Sequence, residues 1–168
     1  NLETLNLESN NLSKIHGELF QNLAQLKIIK LNINRIEYLS PNLFFNCTIL
    51  EELSIENNRF NLIDDNIDLL FSNLIKLKLL FLSENSIQFL NEKLLKNTKQ
   101  LRILSLFGNK IINLSSQDLF QSTHLLFSLD IHSNYIRLIK KHQFIYLANL
   151  NNLDLSYNQI EFVENEAF

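Results

Sequence analysis

The sequence predicts one α/β repeat domain over residues 1–168, a curved solenoid whose concave side is a parallel sheet of about seven short strands. The convex side is expected to hold loops, turns and short 3-10 or α segments. Three observations support this fold class: a recurring leucine pattern, an asparagine at a fixed place in every repeat, and a phenylalanine near most repeat ends. Such self-similarity at a fixed period indicates a stack of equivalent units.

Composition excludes several other classes of protein. The chain has 168 residues, 46% of them hydrophobic and 20% charged, which is enough apolar mass for a core and excludes general disorder. Its two glycines argue against nucleotide-binding loops, and its single cysteine excludes a disulfide framework or a cysteine zinc site. A net charge of −3 gives no support to general nucleic-acid binding. No cofactor is predicted.

The pattern L-x-x-L-x-L-x-x-N-x-L defines the repeats. It begins seven times, at spacings of 24, 24, 27, 24, 25 and 24 residues, from Leu2, Leu26, Leu50, Leu77, Leu101, Leu126 and Leu150. The segment x-L-x-L-x alternates with period two, which predicts a half-buried strand with its leucines directed into the coil. The residues between the leucines then share the concave face.

The ninth position of each repeat is an asparagine. The chain must turn sharply there, and a buried amide that both donates and accepts can satisfy backbone groups of neighbouring turns. We therefore predict a structural asparagine ladder, and no catalytic use, for Asn10, Asn34, Asn58, Asn85, Asn109, Asn134 and Asn158.

A second apolar position lies six residues before each next repeat begins. It is a phenylalanine in every repeat except repeat four, where Leu95 replaces it. Stacked rings would fill the wide convex side of the core; they are Phe20, Phe44, Phe71, Phe120, Phe144 and Phe168. Cys47 falls at the next core position and is predicted to be a buried, inert thiol, with a reactive or bridging thiol as the alternative.

These motifs resemble those of the leucine-rich repeat family over the whole chain, and the spacing is similar to the 24-residue typical class. That class implies an extracellular setting, as in Toll-like receptor ectodomains and cell-adhesion proteins. The resemblance implies a non-enzymatic module that binds a protein or other extracellular ligand on its concave or lateral face, and a receptor that dimerises around its ligand. A cytosolic scaffold or regulatory domain is the alternative, which the lone cysteine and the missing cysteine caps would fit.

Two concave clusters are the candidate binding residues. Leu79, Phe81, Ile103 and Phe107 are predicted to face outward although apolar, and Gly108 beside them is expected to leave room for a partner to approach. An exposed apolar patch marks a ligand contact, although a sister domain, a dimer mate, a glycan or sequence drift are alternatives.

The second cluster is acidic. Asp130, His132 and Asp154 share the face with Ser156, and Tyr157 follows in the last repeat. A solvated polar surface, a pH-sensitive contact with a cation or basic partner, and a catalytic Asp-His-Ser arrangement are the three alternatives. The flat sheet offers no oxyanion hole, which disfavours the third alternative. No metal site is assigned.

Other features are weaker indications. Three N-x-Ser/Thr sequons permit glycosylation at Asn11, Asn46 and Asn113, with Asn46 expected to be the most accessible. Repeat three is longer, and its Asp64, Asp65 and Asp68 predict a solvated or docking loop. Lysines around repeat four are interspersed with glutamates, so a phosphate-binding patch is disfavoured.

The chain starts a strand almost at its first residue and carries no polar cap, which predicts an internal fragment of a longer ectodomain. The segment itself has no apolar stretch for membrane contact, although a parent chain with a transmembrane helix is compatible with this.

Overall fold

A computed structural model describes residues 1–62, 67–114 and 116–168. These residues form a coil of parallel strands with almost no helix, as the sequence predicts. Seven three-residue strands form the main sheet in the order β1-β2-β3-β4-β5-β6-β8: β1 Thr4–Asn6, β2 Ile28–Lys30, β3 Glu52–Ser54, β4 Leu79–Phe81, β5 Ile103–Ser105, β6 Ser128–Asp130 and β8 Asn152–Asp154. A two-stranded parallel sheet pairs β7 Leu138–Ile139 with β9 Phe162–Val163.

Pairing in the main sheet follows the repeat register. Each strand covers the third to fifth positions of its repeat, and equal positions face one another: Leu79 opposes Ile103, and Phe81 opposes Ser105. This register holds because a slip of one residue would turn the buried leucines to solvent. The outward residues therefore form straight rows, with steps of about 4.8 Å between strands.

The core lies between this sheet and the convex segments. Leu53, Leu80, Leu104 and Leu129 are buried from the strand side. The predicted phenylalanine series meets them from the other side, with ring centroids 5.7 Å apart for Phe20 and Phe44, 6.1 Å for Phe120 and Phe144, and 5.6 Å for Phe144 and Phe168. Cys47 is fully buried in this layer, and burial raises the pKa of its thiol to about 11, which makes it unreactive.

The asparagine ladder links each repeat to its neighbours. In repeat five, the Asn109 amide nitrogen donates to the carbonyl oxygens of Leu82 (3.0 Å) and Leu106 (2.9 Å), while its oxygen accepts from the backbone N–H of Ile87 (3.0 Å). The same three kinds of bond recur at Asn34, Asn58, Asn85, Asn134 and Asn158. Among the described residues, the partners of Asn10 are Leu7 and Glu8 of its own repeat.

The convex side contains a second asparagine series that we did not predict. Asn46, Asn73 and Asn97 each precede the next repeat by four residues, and their amide nitrogens donate to carbonyls of the preceding repeat at 2.7, 2.8 and 2.8 Å. The helical segments in the described part of the convex side are 3-10 turns, at Ile67–Leu69 and Gln117–Phe120.

The eighth position of every repeat has a left-handed backbone. The φ angles lie between 52° and 65° for Ser9, Ile33, Asn57, Glu84, Gly108, Ser133 and Tyr157. This conformation turns the chain off the sheet before the asparagine. Only one of the seven residues is glycine, so the solenoid imposes a strained conformation that its inter-repeat bonds must hold in place.

Candidate functional site

The four predicted apolar residues occupy one continuous strip on the concave face, but they are less exposed than we expected. Leu79, Phe81, Ile103 and Phe107 are all partly buried. Side chains in adjacent rows stand about one strand spacing apart, so each covers part of its neighbour. Ser54, Ser83 and Ser105 belong to the same outward rows as the strip and are buried, and Ser54 and Ser105 flank Phe81 on the adjacent strands. The hydroxyls of Ser83 and Ser105 lie 2.7 Å apart.

The space predicted beside Gly108 is already filled. A Cβ atom placed on Gly108 would lie 2.7 Å from the carboxylate of Glu84, which extends over the glycine from the preceding repeat. A partner that approached here would have to displace the end of this flexible side chain, so the expected room is not open at this glycine. Its role is conformational, since its φ of 65° favours glycine and a neighbouring side chain needs the space.

Asp130, His132 and Asp154 form one cluster at the end of the strip. The His132 Nδ1 atom lies 2.6 Å from Asp130 Oδ1 and 3.9 Å from Asp154 Oδ2. The His132 ring stacks on Phe107, with centroids 4.8 Å apart and an angle of 6° between the planes. The two clusters predicted separately are thus one continuous surface, joined by this ring pair.

Ser156 makes two hydrogen bonds to Asp154. The Ser156 backbone N–H donates to Asp154 Oδ1 at 2.9 Å, and its hydroxyl donates to the same carboxylate. These bonds, together with the nearby His132, lower the pKa of Asp154. The Ser156 hydroxyl makes the largest contribution to this shift.

The cluster has the donors that a cation would need. One ligand atom from each of Asp130, His132 and Asp154 lies within 4.8 Å of the others, and all three residues keep some exposure. Carboxylate and imidazole donors suit a divalent metal ion, but exposed carboxylates also attract lysine and arginine side chains. The geometry is compatible with either kind of positive group.

The opposite half of the concave face, in repeats one to three, is polar apart from Ile28, and several of its groups bond to one another. Lys30 pairs with Glu52 at 3.4 Å. The side-chain oxygen of Asn32 accepts from the Ser54 hydroxyl at 2.7 Å and from the Glu56 N–H at 2.8 Å. Burial raises the pKa of Glu56, and a hydrogen bond from Ser83 opposes part of this rise.

Tyr157 lies apart from both clusters. It is 84% exposed at the turn after β8, where its left-handed backbone directs the ring away from the core. It belongs to the rim of the concave face.

A neighbouring surface was not predicted from the sequence. The second position of each repeat lies just before the strand, on the flank where the chain enters the sheet, and Phe127 is 48% exposed there. It borders a groove also lined by Leu79, Arg102, Ile103 and Leu125. The second position can be read from the repeat pattern, but it precedes the alternating x-L-x-L-x segment that we used to define the concave face.

The sequon asparagines differ from the expected order of exposure. Asn11 and Asn113 are exposed, whereas Asn46 is partly buried and its amide nitrogen donates to the Gln21 carbonyl at 2.7 Å. The expectation that Asn46 is the most accessible is wrong, because it belongs to the convex asparagine series. Asp64 and Asp65 of the long loop, and Ser115 of the third sequon, lie outside the described residues.

Comparisons with known proteins agree with this geometry. The chain matches the leucine-rich repeat family over residues 1–60 and 115–168. It is similar to a chain in the crystal structure of the TLR13–ssRNA13 complex, with 27% identity and a TM-score of 0.89, over 98% of this chain and 23% of that one. A comparison with curated proteins gave no match.

Two further structures share the fold. The APL1 leucine-rich repeat domain has 24% identity and a TM-score of 0.81, over 96% of this chain and 40% of that one. The LRIM1/APL1C complex gives 23% identity and a TM-score of 0.82, over 91% of this chain and 27% of that one. This chain therefore spans between about a quarter and two fifths of the length of these structures. Among the described residues, no helix is long and apolar enough to cross a membrane.

Proposed function

The chain belongs to the leucine-rich repeat family, and on that basis we propose that it is a binding module that recognises a polypeptide ligand on its concave face. One observation carries the proposal: an apolar strip merges with an acidic cluster through the stacked rings of Phe107 and His132. Aromatic anchors beside charged groups are typical of the few residues that dominate binding energy at protein interfaces.

The charges of this face indicate the chemistry of the ligand. The outward rows carry Glu8, Glu56, Asp130 and Asp154, and their one lysine, Lys30, is paired with Glu52. A ligand with apolar side chains followed by lysine or arginine would match the strip and then the cluster. The TLR13 structure contains a single-stranded RNA, but the concave face of this chain repels a polyanion.

We propose display of side chains and not catalysis as the mechanism. A rigid coil presents residues from several strands on one surface, so little conformational entropy is lost on binding. The Ser156 hydroxyl is engaged by Asp154, and the open sheet provides no donors for a developing oxyanion. The Asp130, His132 and Asp154 cluster is therefore assigned to a contact with a positive group of the ligand.

We place the module outside the cell, in a receptor of Toll-like type that dimerises around its ligand. The support is the likeness to the TLR13 chain over 98% of this sequence and the sequons at Asn11 and Asn113. Sequencing the full-length transcript tests this. A signal peptide, a transmembrane helix and an intracellular signalling domain would support a receptor, whereas attached cytosolic domains would leave the scaffold alternative.

The binding proposal is tested by replacing apolar residues of the strip with charged ones. Phe81→Glu and Phe107→Glu place a charge where the ligand should bury an apolar group, and both positions are partly exposed, so folding should survive. We expect ligand binding by the full-length protein to weaken by about tenfold or more. Thr4→Glu, an identical charge change on an exposed residue of β1, is the control. Normal binding by both phenylalanine variants would refute the proposal.

A further inference from the structure

The flank that precedes the sheet carries a row of alternating charge over the first four repeats. The second positions read Glu3, Lys27, Glu51 and Lys78. Lys27 pairs with Glu3 at 2.9 Å and Lys78 pairs with Glu51 at 2.7 Å. The pKa of Glu51 is lowered chiefly by its hydrogen bond from Lys78. Each base in this part of the row therefore has an acidic neighbour one strand away.

The alternation ends at repeat five. Arg102 follows Lys78, so two bases are adjacent, and the next residue in the row is Phe127 where an acid would continue the pattern. Within the described ranges, no ion pair includes Arg102. The Arg102 side chain is exposed, and its main chain is fixed, since its N–H donates to Lys78 and its carbonyl accepts from Phe127.

A groove lies where the row breaks. It has a volume of about 730 Å³, and apolar residues that include Ile103, Leu125 and Phe127 line it together with Arg102, Asn149 and Asn151. The Phe127 ring is 48% exposed, although a polar residue at this position would complete the charge row. The groove thus combines a mainly apolar lining and two asparagines with one guanidinium group that has no counter-charge on its own row.

We propose that this groove binds a segment of the partner polypeptide in which an acidic residue stands next to an apolar one. The carboxylate would pair with Arg102 and take the place of the missing acid of the row, because guanidinium groups bind carboxylates in a bidentate manner. The apolar side chain would cover Phe127 and Leu125. The proposal rests on the assignment of the chain as a binding module, and it adds a flank contact whose charge preference is opposite to that of the concave cluster.

A random peptide library displayed on phage is the probe, and the full-length protein is the target. We expect the wild-type protein to enrich peptides that carry Asp or Glu within two residues of Leu, Ile, Phe or Trp. The Arg102→Glu variant should bind those peptides more weakly by about tenfold or more. Lys110→Glu makes the same charge change on the opposite flank, at an exposed residue, and should alter binding by less than about twofold.

A charge exchange makes the test specific to the pair. Replacing the acidic residue of an enriched peptide with Arg should abolish binding to the wild-type protein and restore it to Arg102→Glu. Replacing Phe127 with Ser should weaken the binding of both the acidic peptides and the Arg-substituted peptides. Enrichment of peptides without an acidic residue, no enrichment at all, or equal binding to Arg102→Glu would each overturn the proposal.

The outcome is separable from that of the concave contact. Phe81→Glu leaves Arg102 and Phe127 unchanged and should still bind the selected peptides. If the peptide tests fail while Phe81→Glu and Phe107→Glu still lose the physiological ligand, only the flank proposal is wrong. If the reverse holds, the groove is a binding site and the concave strip is not.

Discussion

The two halves of the concave sheet use one scaffold to present different surfaces. In repeats one to three, the outward groups bond to one another, as Lys30 does with Glu52 and Asn32 does with Ser54. In repeats four to seven, an apolar strip ends at an acidic cluster, and the stacked Phe107 and His132 rings connect them. Strand register and inward leucines are the same on both sides, and the asparagine ladder runs through both from Asn34 onward.

This difference shows which positions are constrained by folding. The inward positions keep the same residue types because they fill the core and satisfy buried backbone groups. The outward positions vary because the scaffold does not depend on them, so an apolar strip there has no structural requirement behind it. A surface that folding does not explain is the best candidate for recognition.

The largest effect should come from breaking the scaffold beneath the strip. Asn109→Leu removes one acceptor and several donor contacts at a site that is 4% exposed, so we expect a loss of about 3 kcal/mol in the free energy of unfolding. Asn10→Leu, at an exposed asparagine with bonds only to its own repeat, is the control and should cost far less. Urea denaturation measures both. An unchanged midpoint for Asn109→Leu would contradict the ladder.

An intermediate effect is expected at the left-handed turns. Gly108→Ala adds a Cβ atom at positive φ and against Glu84, which should destabilise the strip half by about 1 kcal/mol. Ile33→Gly, at the equivalent turn of the polar half, relieves backbone strain but raises the conformational entropy of the unfolded chain. These effects oppose each other, so we expect the free energy of unfolding to change by less than about 0.5 kcal/mol. Thermal unfolding compares the two. No loss for Gly108→Ala would show that this turn tolerates a side chain as the equivalent turn does at Ile33.

The smallest effects concern pH and should have opposite signs in the two halves. The folded-state pKa of Glu56 is raised, chiefly by burial, so its contribution to stability improves as pH falls through that value. The folded-state pKa of Asp154 is lowered, chiefly by Ser156, so its contribution is present above the unfolded-state pKa and is lost as pH falls through the folded-state value.

Comparison with Glu56→Gln and Asp154→Asn separates these contributions. As the pH is lowered from about 7 to about 3, the free energy of unfolding of the wild type should rise relative to Glu56→Gln and fall relative to Asp154→Asn. Each change should be below about 1 kcal/mol, since both groups retain contact with solvent. Urea midpoints across this range provide the measurement. Stability differences that change in the same direction with pH would show that the pKa values of the two carboxylates are shifted in the same direction.

Sequence periodicity predicted the fold and the ladder because those features repeat. Every inward leucine and every ninth-position asparagine is set by a local rule, so seven instances support each other. The same rule placed Leu79, Phe81, Ile103 and Phe107 on one face, but it could not predict their exposure. Exposure depends on how neighbouring side chains in adjacent strands lean over one another.

Other features required three dimensions for a similar reason. Glu84 covers Gly108 across a repeat boundary, and Asn46 bonds to the repeat before it, so neither contact follows from either repeat alone. The ring contact that joins Phe107 to His132 also crosses repeats. Phe127 was missed because its position precedes the strand, although the break in the alternating charges of its row was a usable signal.

Site-specific photo-crosslinking of the full-length protein in its own cells tests the binding surface most directly. p-Benzoylphenylalanine replaces Phe81 or Phe107 with another aromatic residue, and the same probe at the exposed Thr4 reports on the polar half. We predict a crosslinked polypeptide from the two phenylalanine positions and none from Thr4. Crosslinks of equal yield from Thr4, or none from Phe81 and Phe107, would contradict recognition by the strip.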